Sequence, residues 1–276
     1  MTRPTPSTPS YMANSTTRPS SMVIPISSGD IVIRQFQPED AEQIHALFLE
    51  GLVYAPDSAH NVAQHRNLSS RVSCLAYLGF ALGLGCLFRN NIAVRVGGGA
   101  LTLGATALFV HVRRTITKFW VDVCARTRET DLGDITHFYD LPLPANPTQA
   151  SEPQGPSGFW VAVIESPEDK SSEVVGYLGF DYRLNPDPSS GELRHMIVSM
   201  NHRRRRIGSL LLAAVVNHAR RHAPPIETLD LAITEFQPGA WKFYENNRFS
   251  SVGTRIMKIG PLLSMTVSRL SRKVFD

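Results

Sequence analysis

The chain is predicted to be an α/β domain with one mixed sheet flanked by helices, and three observations carry that prediction. Short runs of alternating apolar residues recur between longer stretches with helical spacing. They follow one another in the order β-α-α-β-β-β-α-β-α-β-β, the interleaving expected of helices packed on a sheet. One strand-like run, GELRHMIVS (191–199), passes into a helical run through four consecutive arginines, Arg203 to Arg206.

Taken in order, residues 1–28 are rich in Ser, Thr and Pro and poor in large apolar groups, so they are expected to form a disordered tail. The globular domain is placed at 29–270. It opens with IVIRQ, a turn at Gln37-Pro38-Glu39-Asp40, and an apolar stripe of Ile44, Leu47, Phe48 and Leu52, which reads as strand, capped turn and helix. FWVDVCARTRETDL (119–132) has helical spacing. GFWVAVIES (158–166) and EVVGYLGFDYR (173–183) read as a hairpin closed by Pro167-Glu168-Asp169-Lys170. The stretch 141–158 before it is expected to be a surface loop. After the arginines, Ile207, Leu210, Leu211, Ala214 and Val215 mark a helix. ETLDLAIT (227–234), PGAWKFYENN (238–247), SSVGTRIMKI (250–259) and SMTVSRL (264–270) then read as strand, helix, strand and strand, with 271–276 a basic end.

One segment interrupts this pattern. Val72 to Phe88 and Val96 to Val112 are uncharged runs of 17 residues each, separated by a short polar connection. A helix of that length spans roughly 25 Å. Seven glycines in the two runs argue against core helices of a soluble protein. Gly79 with Gly83, and Ala100 with Gly104, form small-xxx-small pairs that suit close helix approach in lipid. Residues 72–112 are therefore expected to contact membrane lipid, as two spans or one re-entrant hairpin. Arg66, Arg71, Arg113, Arg114 and Lys118 flank the outer ends and place them in the cytosol. Two halves of one domain must also lie on the same side. An integral or re-entrant protein of the endoplasmic reticulum or another endomembrane, its domain facing the cytosol, is the expectation.

Composition removes other classes. Net charge is only +4, and no basic stripe interleaved with aromatics appears outside the arginine block, so no nucleic-acid partner is expected. Three cysteines do not make a disulfide framework. His218 and His222 stand four apart without a third ligand, so no metal is expected and a solvated helix face is. Asn14-Ser15-Thr16 and Asn67-Leu68-Ser69 fit the glycosylation sequon, a pattern short enough to arise by chance.

A strand that turns directly into a helix aims the helix's free N–H groups and positive dipole end at the turn, which makes an anion site. Arginines there add bidentate phosphate contacts. The segment Arg203 to Gly208 resembles the pyrophosphate motif Q/R-x-x-G-x-G/A of the GNAT superfamily of acyl-CoA-dependent N-acetyltransferases. In this alignment Arg206 stands where the first glycine usually sits, in ordinary helical geometry with its side chain turned away from the cofactor. GELRHMIVSMNHRRRRIG, ITEFQPGAWKFYENNRF, TDLGDITHFY and FWVAV, with the hydrophobic insertion, are together similar to the camello-like, cysteine S-conjugate N-acetyltransferase branch. Arg248-Phe249 replaces that branch's usual Gly-Phe.

The resemblance implies a GNAT-type acyl-CoA N-acyltransferase fold and acetyl-CoA as co-substrate. Its contacts would come from Met196, Ile197, Val198, Arg203, Arg204, Arg205, Arg206, Ile207, Gly208 and Ser209, chiefly Arg203, Arg204, Gly208 and Ser209. The acceptor would be a primary amine, on a small molecule such as a cysteine S-conjugate or on a protein lysine. Glu192, eleven residues before Arg203, matches the spacing of a family glutamate base. His195 is the other candidate, since imidazole titrates near neutrality. Strand alternation would set these two on opposite faces, so that one alone reaches the amine. A backbone N–H near Val198 would meet the oxyanion. Tyr244 corresponds to the tyrosine that protonates the CoA sulfur, and Asp131 and Tyr139 would line the acceptor pocket. A membrane-anchored acyl-CoA-binding protein without catalysis is the alternative.

Overall fold

The protein is seen in a computed structural model that describes residues 22–24, 31–141, 155–165, 172–183, 187 and 189–275. Most of the expected tail, the Asn14 sequon, most of the 141–158 loop and the Pro167–Lys170 turn lie outside the described residues.

Three residues of the expected tail are in fact a strand. β1 (Met22–Ile24) pairs antiparallel with β2 (Ile31–Gln35). The turn that follows is built by one carboxylate. Asp40, 2 % exposed, accepts from both terminal nitrogens of Arg34 at 2.6 and 2.8 Å and from the Gln37 backbone at 2.8 Å. That triple use, with Pro38 as the first residue of a 3-10 turn, aims the chain into α1 (Ala41–Leu49). A π-type turn at Glu50–Tyr54 leads to α2 (Ala59–Leu68), capped by the Ser58 hydroxyl, and then to α3 (Arg71–Leu87), capped by Ser70.

The second apolar run and the helix expected at 119–132 are one helix, α4 (Ile92–Glu129), 38 residues long. No Gly or Pro separates Val112 from Phe119, so nothing in that stretch stops helix propagation. α3 and α4 form an antiparallel hairpin, and Gly83 and Gly98 make the close approach. A Cβ on Gly83 would lie 2.6 Å from the Gly98 carbonyl, and one on Gly98 would lie 2.7 Å from the Gly83 carbonyl. The expected Ala100–Gly104 pair is not at this interface, since a Cβ on Gly104 would meet nothing within 4 Å. Helix phase decides the matter: Gly98, Thr102 and Ala105 share the stripe that faces α3.

A short helix, α5 (Ile135–Phe138), precedes the antiparallel strands β3 (Gly158–Glu165), β4 (Ser172–Asp181) and β5 (Ser190–Val198). Then come α6 (Ile207–Arg221), β6 (Thr228–Thr234), α7 (Pro238–Asn246), β7 (Ser250–Gly260) and β8 (Leu263–Lys273). The last strand thus runs into the segment expected to be a basic end. Sheet order is β1-β2-β3-β4-β5-β6-β8-β7, and only β5 and β6 are parallel.

Two cores flank the sheet. On one face Leu178, Phe180, Leu193 and Leu231 pack on Ile207, Leu211 and Val215 of α6. On the other Phe159, Val161 and Tyr177 pack on Ile44 and Phe48 of α1 and on Trp120 and Cys124 of α4. Each fully buried aliphatic side chain contributes about 1.5–3 kcal/mol. His218 is not on a solvated face: its ring lies 5.2 Å from that of Trp160, and its Nε2 is 3.0 Å from the Pro156 carbonyl. Asn67 is buried in α2 and donates to the Ser73 hydroxyl at 3.3 Å.

The hairpin contact is open to a direct test. Gly83→Leu has no room against α4 and is expected to lower the thermal midpoint in detergent, by about 1–3 kcal/mol of stability. Gly85→Ala, which meets nothing within 4 Å, is expected to be neutral or mildly stabilising. Equal midpoints for Gly83→Leu and wild type would remove this interface.

Candidate active site

β5 and β6 pair in parallel over three positions only, from Ser190 with Thr228 to Glu192 with Asp230. Beyond them the strands separate, although β5 continues to Val198 and β6 to Thr234. Leu193 to Val198 therefore lack a ladder partner on the β6 side, and their backbone groups on that edge border a wedge-shaped gap. Val198, expected to offer an oxyanion donor, is at its mouth. Gly208 stands where α6, α7 and β5 converge: a Cβ there would lie 3.2 Å from the Phe243 ring and 3.8 Å from the Met196 methyl.

The arginine turn closes one end of the gap. Arg204 and Arg206 have φ of 66° and 62°, the left-handed region that favours glycine. This corrects the expectation of ordinary helical geometry at Arg206. It also moves the G-x-G spacing: the two left-handed positions are Arg204 and Arg206, two residues earlier than the sequence alignment places the glycine pair. Two such residues separated by one make a concave arc of backbone N–H groups. Arg206 caps α6 without a side-chain acceptor, so the first-turn N–H groups of Ile207, Gly208 and Ser209 stay open to an anion. The cradle offers an anion backbone donors and the positive end of the helix dipole. Arg203, expected as a chief phosphate contact, is turned elsewhere. It pairs with Asp57 of the α1–α2 connection and donates from Nε to the Val198 carbonyl at 3.3 Å. Arg205 reaches back to His202 at 3.5 Å. Arg248, φ 66°, likewise takes glycine's geometry in the turn after α7.

The acceptor-side candidates meet on the α1/α4 face. Asp131, just beyond the end of α4 and 2 % exposed, pairs with His195 Nε2 and lies 3.0 Å from an Arg194 nitrogen. The Thr130 hydroxyl donates to its other oxygen at 3.0 Å. Burial pushes the Asp131 carboxyl up, but the His195 hydrogen bond and the charges of His195 and Arg194 outweigh it and hold the group below its usual range. Arg194 also faces the buried Asp181 at 3.8 Å, and its guanidinium lies 5.7 Å over the Phe138 ring.

Arg194 and His195 are consecutive, and regular alternation would send them to opposite faces. A bulge prevents this. Arg194 is opposite Gly179 and Ile197 is opposite Tyr177, so two residues of β5 face one of β4, and His195 takes φ 53°. Leu193 points into the α6 core, which leaves Glu192 on the α1/α4 side with Arg194, and its charge bears on the Tyr139 phenol. Glu192 and His195 thus share a face, contrary to expectation, because the extra residue resets the alternation.

Tyr139 is fully buried with its hydroxyl against Gly179, where a Cβ would approach to 2.5 Å. Among the described residues, the hydroxyls of Tyr139 and Tyr177 have no hydrogen-bond partner. Burial, with the Asp131 charge, drives the Tyr139 phenol well above its ordinary value; burial, with Tyr139 and Cys124, does the same at Tyr177. Sequence reasoning had missed Arg194, Asp181 and Tyr177. Arg194 beside His195 in ELRH was a visible signal, but regular alternation would have separated the two. Tyr244 lies across the sheet, in the core with Ile207, its ring 5.2 Å from Phe249 and its phenol pushed up by burial.

Two substitutions probe these assignments. The folded Asp131 carboxyl is depressed, so its stabilisation is complete above the unfolded pKa of about 4 and is lost as pH falls through the folded value. Asp131→Asn is expected to unfold in urea with about 1–3 kcal/mol less stability at pH 7, a gap that closes below about pH 4. A gap independent of pH would discount the carboxylate. Arg206→Gly relieves a left-handed side-chain conformation and should stabilise by about 1 kcal/mol in thermal melts. Its KM for acetyl-CoA should stay within about threefold if backbone N–H groups carry the phosphate. A tenfold rise would return that role to the Arg206 side chain.

Residues 126–249 match the sequence profile of the Acetyltransferase (GNAT) family. N-acetylaspartate synthetase of Danio rerio is 26 % identical over 247 residues, covering 89 % of this chain and 75 % of that protein. The same enzyme of Xenopus tropicalis is 28 % identical over 251 residues, covering 89 % and 78 %. Among solved structures, a GNAT-family acetyltransferase from Staphylococcus aureus Mu50 aligns with 88 % of this chain and 99 % of its own at 16 % identity, with a TM-score of 0.44. The matched segment holds Asp131, the bulged strand, the arginine turn and Tyr244, so the chain carries an acetyltransferase domain of the GNAT family and is an acetyl-CoA-dependent N-acetyltransferase.

Proposed function

We propose that the protein is a membrane-anchored N-acetyltransferase that moves an acetyl group from acetyl-CoA to the primary amine of a small molecule within a ternary complex. The observation that carries this reading is the gap between β5 and β6, with a phosphate cradle at one end and the two candidate catalytic groups on opposite sides. The acetyl thioester lies in the gap, its pyrophosphate at the arginine turn and its carbonyl oxygen at a β5 backbone N–H near Val198.

The acceptor enters from the Asp131 face. Asp131, Asp181 and Glu192 stand there beside two arginines, Arg183 and Arg194, so the carboxylates exceed the arginines by one and suit an ammonium group. The ammonium then loses a proton to a base. The Asp131 pairing orients the His195 ring, which favours His195 in that role over Glu192. The amine nitrogen attacks the thioester carbonyl carbon, the C–S bond breaks as the tetrahedral intermediate collapses, and Tyr244 donates a proton to the departing CoA thiolate. The surplus proton on the new amide nitrogen leaves to solvent, from which Tyr244 is reprotonated. Asp131 and Tyr139 shape the acceptor side. The curated relatives are named for acetylation of aspartate, an α-amino acid, which supports a small α-amine ahead of a protein lysine.

Membrane anchoring rests on residues 72–112. Leu75, Leu78, Phe80, Leu82, Phe88, Val96, Leu101 and Leu103 are all exposed on the hairpin, an apolar surface that lipid would cover. α4 is long and apolar enough to cross a membrane. Because α1 and β3 belong to one domain, both ends of the hairpin return to the same side, and we place that side in the cytosol.

Thiol release from acetyl-CoA, with aspartate, S-substituted cysteines and a lysine peptide as acceptors, tests the reading. A small α-amine should turn over, and Tyr244→Phe should lower kcat by about 10- to 100-fold with little change in KM. His195→Gln should remove the acidic limb of the pH–rate profile, which Glu192→Gln should leave in place. Acetyl-CoA binding without thiol release for any amine would instead indicate a binding protein, and turnover of the lysine peptide alone would reverse the acceptor assignment.

A further inference from the structure

Away from the gap, α2 and α4 enclose a second concavity of about 540 Å³. Arg113, Arg114 and Lys118 line it from α4, and His60 and His65 from α2. Asp122 is the lone carboxylate in the lining, and it pairs with Lys118 at 3.1 Å. The lining thus holds a fixed excess of positive charge. Arg113 lies 5.7 Å over the Phe109 ring and has no carboxylate within ion-pair distance among the described residues, nor has Arg114. The concavity is also framed from below. Gln64, 7 % exposed, donates to the Arg113 carbonyl at 2.9 Å and the Thr117 hydroxyl at 3.0 Å, while His60 Nε2 is 3.0 Å from that hydroxyl. Buried Gln64 Oε1 has no donor among the described residues, an acceptor suited to a hydroxyl or amine carried beside an anion.

Its position adds the second constraint. The uncharged run ends at Val112, and the next two residues, Arg113 and Arg114, are in the lining. A hairpin inserted over 72–112 holds this groove at the level of lipid headgroups. Phosphate oxygens suit guanidinium and ammonium donors of this kind.

We propose that the groove between α2 and α4 is a binding site for a phosphate ester, supplied by an anionic lipid headgroup at the base of the hairpin. The lipid source rests on the membrane reading above; the phosphate chemistry of the groove does not. None of its residues takes part in the acetyl-transfer scheme, so thiol release by groove variants serves as the control for folding.

The test uses the full chain and Arg113→Gln/Arg114→Gln/Lys118→Gln, with Arg126→Gln/Arg128→Gln/Arg221→Gln as a control that removes equal charge elsewhere. Flotation with phosphatidylcholine vesicles, with and without phosphatidate, reads the lipid arm. Thermal shift with glycerol 3-phosphate reads the free-phosphate arm. Wild type should prefer phosphatidate vesicles, the groove variant should lose that preference by roughly a hundredfold, and the control should stay within about fivefold of wild type. A shift by glycerol 3-phosphate in wild type alone, without a lipid preference, would keep the site and assign it a soluble phosphate ester. Loss of preference by both variants alike, or no response in either arm, would overturn the proposal. Deletion of 72–112 without effect on flotation to phosphatidylcholine would end the membrane reading by itself.

Discussion

A carboxylate buried at the end of a long helix governs the centre of this molecule. Asp131 lies out of water, and a charge in that position needs partners or it loses its proton. Two are supplied from adjacent positions of one strand, Arg194 and His195. Regular pleating cannot deliver both to one face, so β5 bulges and His195 adopts a left-handed backbone. The bulge is local strain held in place by the ion pairs around it. Pairing of β5 with β6 has already ended at Glu192, so the bulged stretch borders the gap between the two strands.

The arginine turn follows the same logic of backbone before side chain. Arg204 and Arg206 occupy positions where glycine would carry no steric penalty, and the carbonyl–Cβ crowding is tolerated at each. What the turn offers an anion is the concave row of N–H groups and the open end of α6. Arg203 has a structural task, tying the α1–α2 connection to the end of β5 through Asp57 and the Val198 carbonyl. Four consecutive arginines therefore do not act alike. One braces a loop, one turns back toward His202, and two bend the chain.

α4 joins the two halves of the protein physically. Its first part packs on α3 through Gly83 and Gly98 and bears the exposed apolar surface. Its second part buries Ile116, Trp120 and Cys124 against the sheet and ends beside Asp131. One continuous helix of 38 residues thus runs from the apolar hairpin to the Asp131 cluster. The same helix carries the exposed apolar surface at one end and stops next to Asp131 at the other.

Much of the architecture was legible in the amino-acid order. Apolar periodicity located β2 through β8 and the helices that cover them, glycine-rich uncharged runs located the hairpin, and a strand running into a helix located the arginine turn. These are local properties, set by side-chain spacing along the chain. Contacts between distant segments stayed hidden for a physical reason: a bulge arises from partners that are far apart in sequence, and alternation counted along one strand cannot anticipate the extra residue. That is why Glu192 and His195 were assigned to opposite faces, why Arg194, Asp181 and Tyr177 passed unnoticed, and why Gly98 replaced Ala100 and Gly104 at the hairpin contact. The sequence alone determined the fold class, the helical hairpin and the turn that joins β5 to α6. Tertiary structure decided which face each catalytic candidate occupies and which arginines reach outward, because a buried charge answers to whatever the packed chain brings within reach.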